Sequence, residues 1–262
     1  MGQNVSSLCH SCMTKPREDE LLLISNDPPE NVKKDEIVNG FNLAHVNEKL
    51  EEAEKEYLEM IREGLDGGNC IVEIDKPDVK VSGKETEKGY VVKYQFCMPF
   101  TPDEFFNLVD FPAKKAKWDS SVKLSEEVMK TDNFSAVHTI YKGAFPISAR
   151  DVLLVCRKFK DGKNWCDLST SVESENYPVD KDVVRMQIFA GGYYLEPMEK
   201  DENGNITKVT SVSHINVGLP PAMSKAVRKF ATSQIPKFGK NLIKAIEKEK
   251  EETQNKDNSQ HP

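Results

Sequence analysis

Four residues near the start of the chain have the types and spacing that chemistry can use: Gly2 and Ser6 in MGQNVS, then Cys9 and Cys12 in CHSC. A glycine exposed by removal of Met1, with serine four positions later, fits the acceptor pattern for an N-terminal myristoyl chain. One such chain holds a protein to a bilayer only marginally, with K about 10⁴ M⁻¹, so firm anchoring takes a second signal. S-palmitoylation of Cys9 or Cys12 would supply it, while Lys15 and Arg17 add only a weak electrostatic pull. A rival destination for the acyl chain is the interior of the protein itself, as a switch. Cys9-His10-Ser11-Cys12 also looks like half of a metal knuckle. Zinc takes four ligands, and no second cysteine pair or histidine cluster follows, so no metal is expected.

Elsewhere the reactive side chains are scattered. His214 in SVSHINV is a lone strand histidine for which the sequence sets up no nucleophile–base or carboxylate partnership, and it reads as structural. There is no nucleophile elbow, Gly-rich phosphate loop or HExxH, so neither catalysis nor a cofactor is expected. Neighbouring Arg150 and Asp151 must face opposite sides of a strand, which suits fixing a strand entrance through backbone hydrogen bonds and an ion pair. The six cysteines, among them Cys70, Cys97, Cys156 and Cys166, fit free thiols of an intracellular protein. A net charge of −7 argues against a nucleic-acid partner, which calls for a basic face. No apolar run approaches the ~18 residues of a spanning helix. No basic-then-apolar leader opens the chain. The expectation is a cytoplasmic monomer, associated with a membrane surface through its lipid anchor.

The elements that position these groups are legible from periodicity. Residues 1–40 read as a flexible tail rich in Pro, Asn and short charge runs, and residues 250–262 as a polar C-terminal tail. In FNLAHVNEKLEEAEKEYLEMIREGLDGG, Leu50, Ala53, Tyr57, Met60 or Ile61, and Leu65 recur at helical spacing up to Gly67-Gly68. GYVVKYQFC switches to a period of two, with Tyr90, Val92, Tyr94 and Phe96 on one face and Lys93 and Gln95 on the other. TPDEFFNLVDF predicts a short helix with Thr101 as N-cap and Pro102 at its first position. Residues 120–218 predict antiparallel strands joined by tight turns, and a long helix follows Leu219-Pro220-Pro221, interrupted at Pro236. That layout is α+β: one curved antiparallel sheet closed by a C-terminal helix, with room for an internal cavity between them.

KWDSSVK, FPISARDVLLVCR, VVRMQIFAGGYYLEP and TKVTSVSHINVGLPPAMSKAVRKFATSQIPKFGKNLIKAI, in this order and spacing, resemble the StAR-related lipid-transfer (START) domain family. The resemblance runs from about Glu56 to Ile246 and places a START-like domain over 41–249. It implies the family's helix-grip fold, a curved sheet wrapped around the C-terminal helix over a lipid cavity. Within the family, FPISARD and the last helix look nearest to the phosphatidylcholine-transfer type.

On that resemblance, the positions that cage a quaternary ammonium head group are Thr139, Leu154 and Phe189 here, so one aromatic face remains where cation–π binding calls for several. The basic residue that would meet a lipid phosphate is Lys115. The position of a buried cavity arginine is Cys156, which strand alternation puts on a face with Val152 and Leu154, a more apolar wall suited to tails or a sterol-like ligand. Arg185 shares a face with Gln187 and Phe189. A buried arginine needs a partner, which leaves a cavity position and a solvated face equally open. Met223, Val227 and Phe230 read as the inner side of the last helix and thus the cavity roof. Two functions follow as expectations. One is binding and transfer of a phospholipid or sterol-like lipid. The other is a membrane-anchored sensor or scaffold that binds without transferring.

Overall fold

The computed structural model describes residues 36–63, 71–76, 79–109, 112–143, 147–219 and 237–252. In chain order the elements are β1 (Ile37–Val38), β2 (Phe41–Asn42), α1 (Leu43–Arg62), β3 (Ile71–Lys76), β4 (Val79–Glu85), β5 (Tyr90–Met98), α2 (Pro102–Val109), α3 (Pro112–Trp118), β6 (Val122–Lys130), β7 (Ser135–Tyr141), β8 (Arg150–Asp161), β9 (Asn164–Ser171), β10 (Val184–Arg185), β11 (Gln187–Pro197) and β12 (Thr207–Asn216). A last helix, α4, covers residues 237–252. Ten strands form one curved sheet in the order β3-β4-β5-β12-β11-β9-β8-β7-β6, antiparallel throughout, with β10 added in parallel to β8.

Each face of the sheet carries its own core. On one side α1 lays down Val46, Leu50, Ala53, Tyr57 and Met60, the stripe the helical spacing predicts, with Met60 rather than Ile61 buried. The helix starts where Asn42 accepts a hydrogen bond from the His45 amide, satisfying one of the unpaired first-turn donors. On the other side α4 contributes Leu242 and Ile246, packed with α2, α3 and the strand residues Tyr94, Phe96, Leu195 and Val209. A reciprocal capping box closes the start of α2. The Thr101 amide donates to Glu104 Oε2 at 2.8 Å, and the Glu104 amide donates to Thr101 Oγ1 at 3.3 Å.

Because helices cover both faces, strand alternation does not sort residues into core and solvent. Lys93, expected on a polar face of β5, is 1% exposed beneath α1, with Glu63 at 3.9 Å. The expected tail boundary at residue 40 also falls inside a hairpin. Asn39 and Gly40 hold φ of 52° and 79°. A two-residue turn between β1 and β2 demands positive values at both positions. Asn39 Nδ2 ties the turn down by donating to the Val128 carbonyl at 2.7 Å. Gly192 is required for another reason. At φ 145° a Cβ there would stand 1.7 Å from the Asp167 carbonyl oxygen. Only glycine therefore lets β11 lie against β9 at this point.

Candidate functional site

Residues paired across antiparallel strands project to the same side of a sheet, so the registers assign each side chain to a face. On the α4 side, one row runs Lys158, Asp167, Tyr193, Ser211 and Tyr94 through β8, β9, β11, β12 and β5. The next row is Ser135, Cys156, Ser169, Gly191 and Ser213. Side chains this small leave space above the sheet where their neighbours fill it. The wall at Cys156 is therefore lined by small hydroxyl-bearing residues rather than being uniformly apolar.

α3 brings the charged groups to this space. Lys115 lies 3.7 Å from Asp119, one helical turn away, and its ammonium stands 4.7 Å over the Trp118 ring and 5.8 Å over that of Phe238. Burial lowers the Lys115 ammonium from its ordinary range, while Asp119 opposes the shift; Cys156 and Asp167 also act on it through space. Burial likewise pushes the Tyr141 and Tyr193 phenols well up, with Asp119 acting on both. Yet Lys115, Tyr141 and Tyr193 all keep part of their surface accessible.

The sequence-predicted residues separate on this frame. Lys115 and Cys156 come together, and Leu154 lies on the same face one residue pair along β8. Thr139 shares that face but is 2% exposed and bonded to Ser125 Oγ at 2.8 Å, so it meets a neighbouring strand. Phe189 is carried to the opposite face by a bulge between Ile188 and Ala190. Its ring lies 4.7 Å from that of His214, tilted by 47°, and His214 in turn pairs with Glu56 of α1 and with Thr86 Oγ1. Arg185 takes neither a cavity position nor an open one: Nε and Nη2 donate to Asp151 at 3.0 and 2.7 Å, and Nη2 reaches the Tyr177 carbonyl. Its charge is already neutralised. The entrance role expected of Arg150 and Asp151 is what the side chains perform: Arg150 donates to Ser148 and to the Val217 carbonyl, and Asp151 holds Arg185 and His138. Met223, Val227 and Phe230, like Gly2, Cys9 and Cys12, lie outside the described residues.

Sequence reasoning missed Asp119, Tyr141, Asp167 and Tyr193 as site residues. The signal for Asp119 was present, four residues after Lys115 on one helical face. For Asp167 and Tyr193 it was not, because only the cross-strand register joins them. Among the described residues no group of His, Cys, Asp or Glu is arranged to hold a metal, and no helix is long and apolar enough to cross a membrane.

A curved antiparallel sheet gripping a C-terminal helix defines a helix-grip domain. The family model for the START domain matches residues 47–252, and the chain belongs to that family. Among solved structures, human StAR-related lipid transfer protein 5 superposes with a TM-score of 0.68 at 21% identity, covering 78% of this chain and 98% of that one. Human STARD10 gives 0.64 at 20% identity, over 77% and 82% of the two chains. The lipid transfer and protein localization domain of human StarD13 gives 0.56 at 16%, over 72% and 95%. These likenesses show a shared fold. No match was found among curated proteins.

Proposed function

We propose that this chain encloses one lipid between the α4 face of its sheet and the C-terminal helix, and transfers it between membranes. The observation that carries this reading is the row of small residues, Cys156, Ser169, Gly191 and Ser213, on the face of the sheet whose residues Tyr94, Phe96, Leu195 and Val209 pack with α4. Membership of the START family and the names of two solved relatives as lipid transfer proteins support it. Affinity comes mainly from the tails, at ~25 cal/mol per Å² of apolar area removed from water.

Exchange requires α4 to lift. Beyond Leu242 and Ile246, its described part is held at the rim by Lys114 with Glu249 and by Lys250 with Glu104 at 2.6 Å. Partly exposed pairs of this kind contribute little and weaken with salt, so apolar contact, which a departing or arriving lipid can replace, is the main restraint. Acylation at Gly2, with Cys9 or Cys12, would keep the domain beside the bilayer it exchanges with.

Two measurements test the proposal. Native mass spectrometry after incubation with mixed-lipid vesicles should show one lipid per chain, and labelled lipid should move faster between vesicles when the protein is present. Binding without faster exchange would instead make the domain a sensor or scaffold. No retained lipid would overturn the reading altogether. In cells, Gly2→Ala and the double Cys9→Ser, Cys12→Ser variant should each shift the protein from the membrane fraction; unchanged fractionation of both removes the tether.

A further inference from the structure

Four of the six exposed large apolar side chains among the described residues come from segments that meet around β6: Ile37 (62% exposed), Val38 (36%), Leu124 (43%) and Val179 (59%). Tyr177 joins these segments, its ring meeting Phe41 of β2 at 6.4 Å and His138 of β7 at 5.7 Å. Val179 follows Tyr177 by two residues, and the Pro178 carbonyl between them accepts from Arg185. His138 stands opposite Glu126 of β6, and Ile140 opposite Leu124, so Leu124 projects to the same side of the sheet as His138. The β1–β2 turn reaches β6 through Asn39, which donates to the Val128 carbonyl, and its Gly40 carbonyl accepts from the Glu175 amide at 3.3 Å.

β6 is the last strand of the sheet, and no described strand runs along its outer edge. Such an edge offers backbone donors and acceptors to another strand, and native proteins blunt it with bulges or charge, or cover it. β6 has two bulges, between Val122 and Leu124 and between Glu127 and Met129. Between them Leu124, Ser125, Glu126 and Glu127 pair with β7 without a shift, a regular stretch of four residues that carries the exposed Leu124.

A segment that fits this edge is present on the same chain. Residues 1–35 lie outside the described residues and lead directly into β1. Their longest apolar run is Leu21-Leu22-Leu23-Ile24, four residues against the four of the regular stretch. Residues 25–36 join that run to β1. At ~3.3–3.6 Å each, these twelve residues span about 40 Å, more than the length of nine-residue β6, about 30 Å. Pro28 and Pro29 lack the amide that a ladder needs, so pairing stops short of them. Attachment to the same chain raises the effective concentration of the run to roughly mM, so a small apolar contact is enough to hold it. Charge agrees. Exposed Glu126, Glu127, Glu175 and Asp180 outnumber Lys123 and Lys181 on these segments, which disfavours an anionic bilayer as the cover, while Lys33 and Lys34 precede β1.

We propose that residues 21–24 add a strand to the outer edge of β6 along residues 124–127, setting alternate side chains on the patch of Leu124 and Val179. With the run docked, an acyl group at Gly2 is joined to the domain through residues 3–20 rather than 3–35.

The test follows hydrogen exchange by mass spectrometry in the unacylated full-length protein, without lipid. The comparison is a variant carrying Leu21→Ser, Leu22→Ser, Leu23→Ser and Ile24→Ser. Peptides covering β6 should exchange about tenfold faster in the variant, while those of β11 and β12 stay unchanged and report an intact fold. From the other side of the contact, Leu124→Asp should speed thermolysin cleavage within residues 21–24 about tenfold, again with β11 and β12 unchanged. Equal exchange of β6 in wild type and variant, or cleavage indifferent to Leu124→Asp, overturns the proposal. Protection of β6 that rises with protein concentration, alongside a dimer mass by light scattering, assigns the edge to a second copy and overturns it as well. So does protection that arises only when phosphatidylserine-containing vesicles are added.

Discussion

Replacing Asp151 with Asn should destabilise the domain far more than the single lost charge suggests. The Asp151 side chain is 3% exposed and accepts from Arg185 at 3.0 and 2.7 Å, with His138 Nε2 at 3.0 Å. Asn keeps the shape but cannot neutralise Arg185, whose side chain is 19% exposed and retains only the Tyr177 and Pro178 carbonyls. Breaking one partner of a buried pair costs about 3–5 kcal/mol, and the partial exposure of Arg185 and His138 places this case near the lower end, about 3 kcal/mol. At roughly 2–4 °C per kcal/mol for a chain of this size, the midpoint should fall by roughly 6–12 °C. The effect is pH-dependent. Burial alone would raise the Asp151 carboxyl, but hydrogen bonds from Arg185 and His138 outweigh it and hold the carboxyl below the usual range. Its contribution is therefore complete above about pH 4, the ordinary carboxylate value, and is lost as pH falls through the depressed folded-state value. Urea titrations of both proteins at pH 7 and pH 3 should show a gap that narrows on acidification. Asp151→Asn with Arg185→Met should cost less than the sum of the two single changes. A gap under about 1 kcal/mol at pH 7, or one unchanged at pH 3, would refute the reasoning about this pair.

Two further changes probe the frame of the site. Leu242→Ala, at a fully buried position between α4 and the sheet, should cost about 2–5 kcal/mol in urea unfolding; a cost near zero would mean the helix is not docked as described. Gly192→Ala puts a Cβ 1.7 Å from the Asp167 carbonyl and should abolish soluble expression or near-UV dichroism. Gly204→Ala is its control: φ is also positive, 82°, but the nearest atom is Lys200 Cε at 3.6 Å. Its cost should stay near the backbone contribution alone, about 1–2 kcal/mol.

What the sequence revealed was local. The stripe from Leu50 to Met60 and the Thr101 cap are each written within a few residues, and each is realised. The site was harder, because its members meet only through the sheet. Lys158, Asp167, Tyr193, Ser211 and Tyr94 come from five strands, and no spacing along the chain marks them as one row. The errors have physical causes. Alternation sets Lys93 opposite Tyr94 and Phe96 without showing what covers that face, and α1 does. Positional likeness carries Phe189 to the cavity, and one bulged residue moves it to the His214 side. Arg185 reads as a cavity residue or one on a solvated face until the parallel pairing of β10 with β8 sets it beside Asp151. Asn39-Gly40, within the stretch that reads as a tail, is a hairpin turn whose strands are two residues each, too short for periodicity to show.

The strand order also bears on how the chain acquires its shape during synthesis. β5 lies beside β12, and Gln95 bonds Thr210 across 115 residues of sequence, so the centre of the sheet joins its earliest long strand to its last. Contacts this distant in sequence form slowly, and until they form the flanking edges stay unpaired. At ~5–20 residues per second, several seconds separate the emergence of β5 from that of β12, and α4 follows later still. The nascent chain must therefore pass through a state in which the concave face is built but uncovered, with Phe96, Leu195 and Val209 open to whatever apolar matter lies nearby. For a domain of this architecture, the order of synthesis itself leaves an apolar face exposed until its covering helix arrives, which makes that interval the one most open to aggregation.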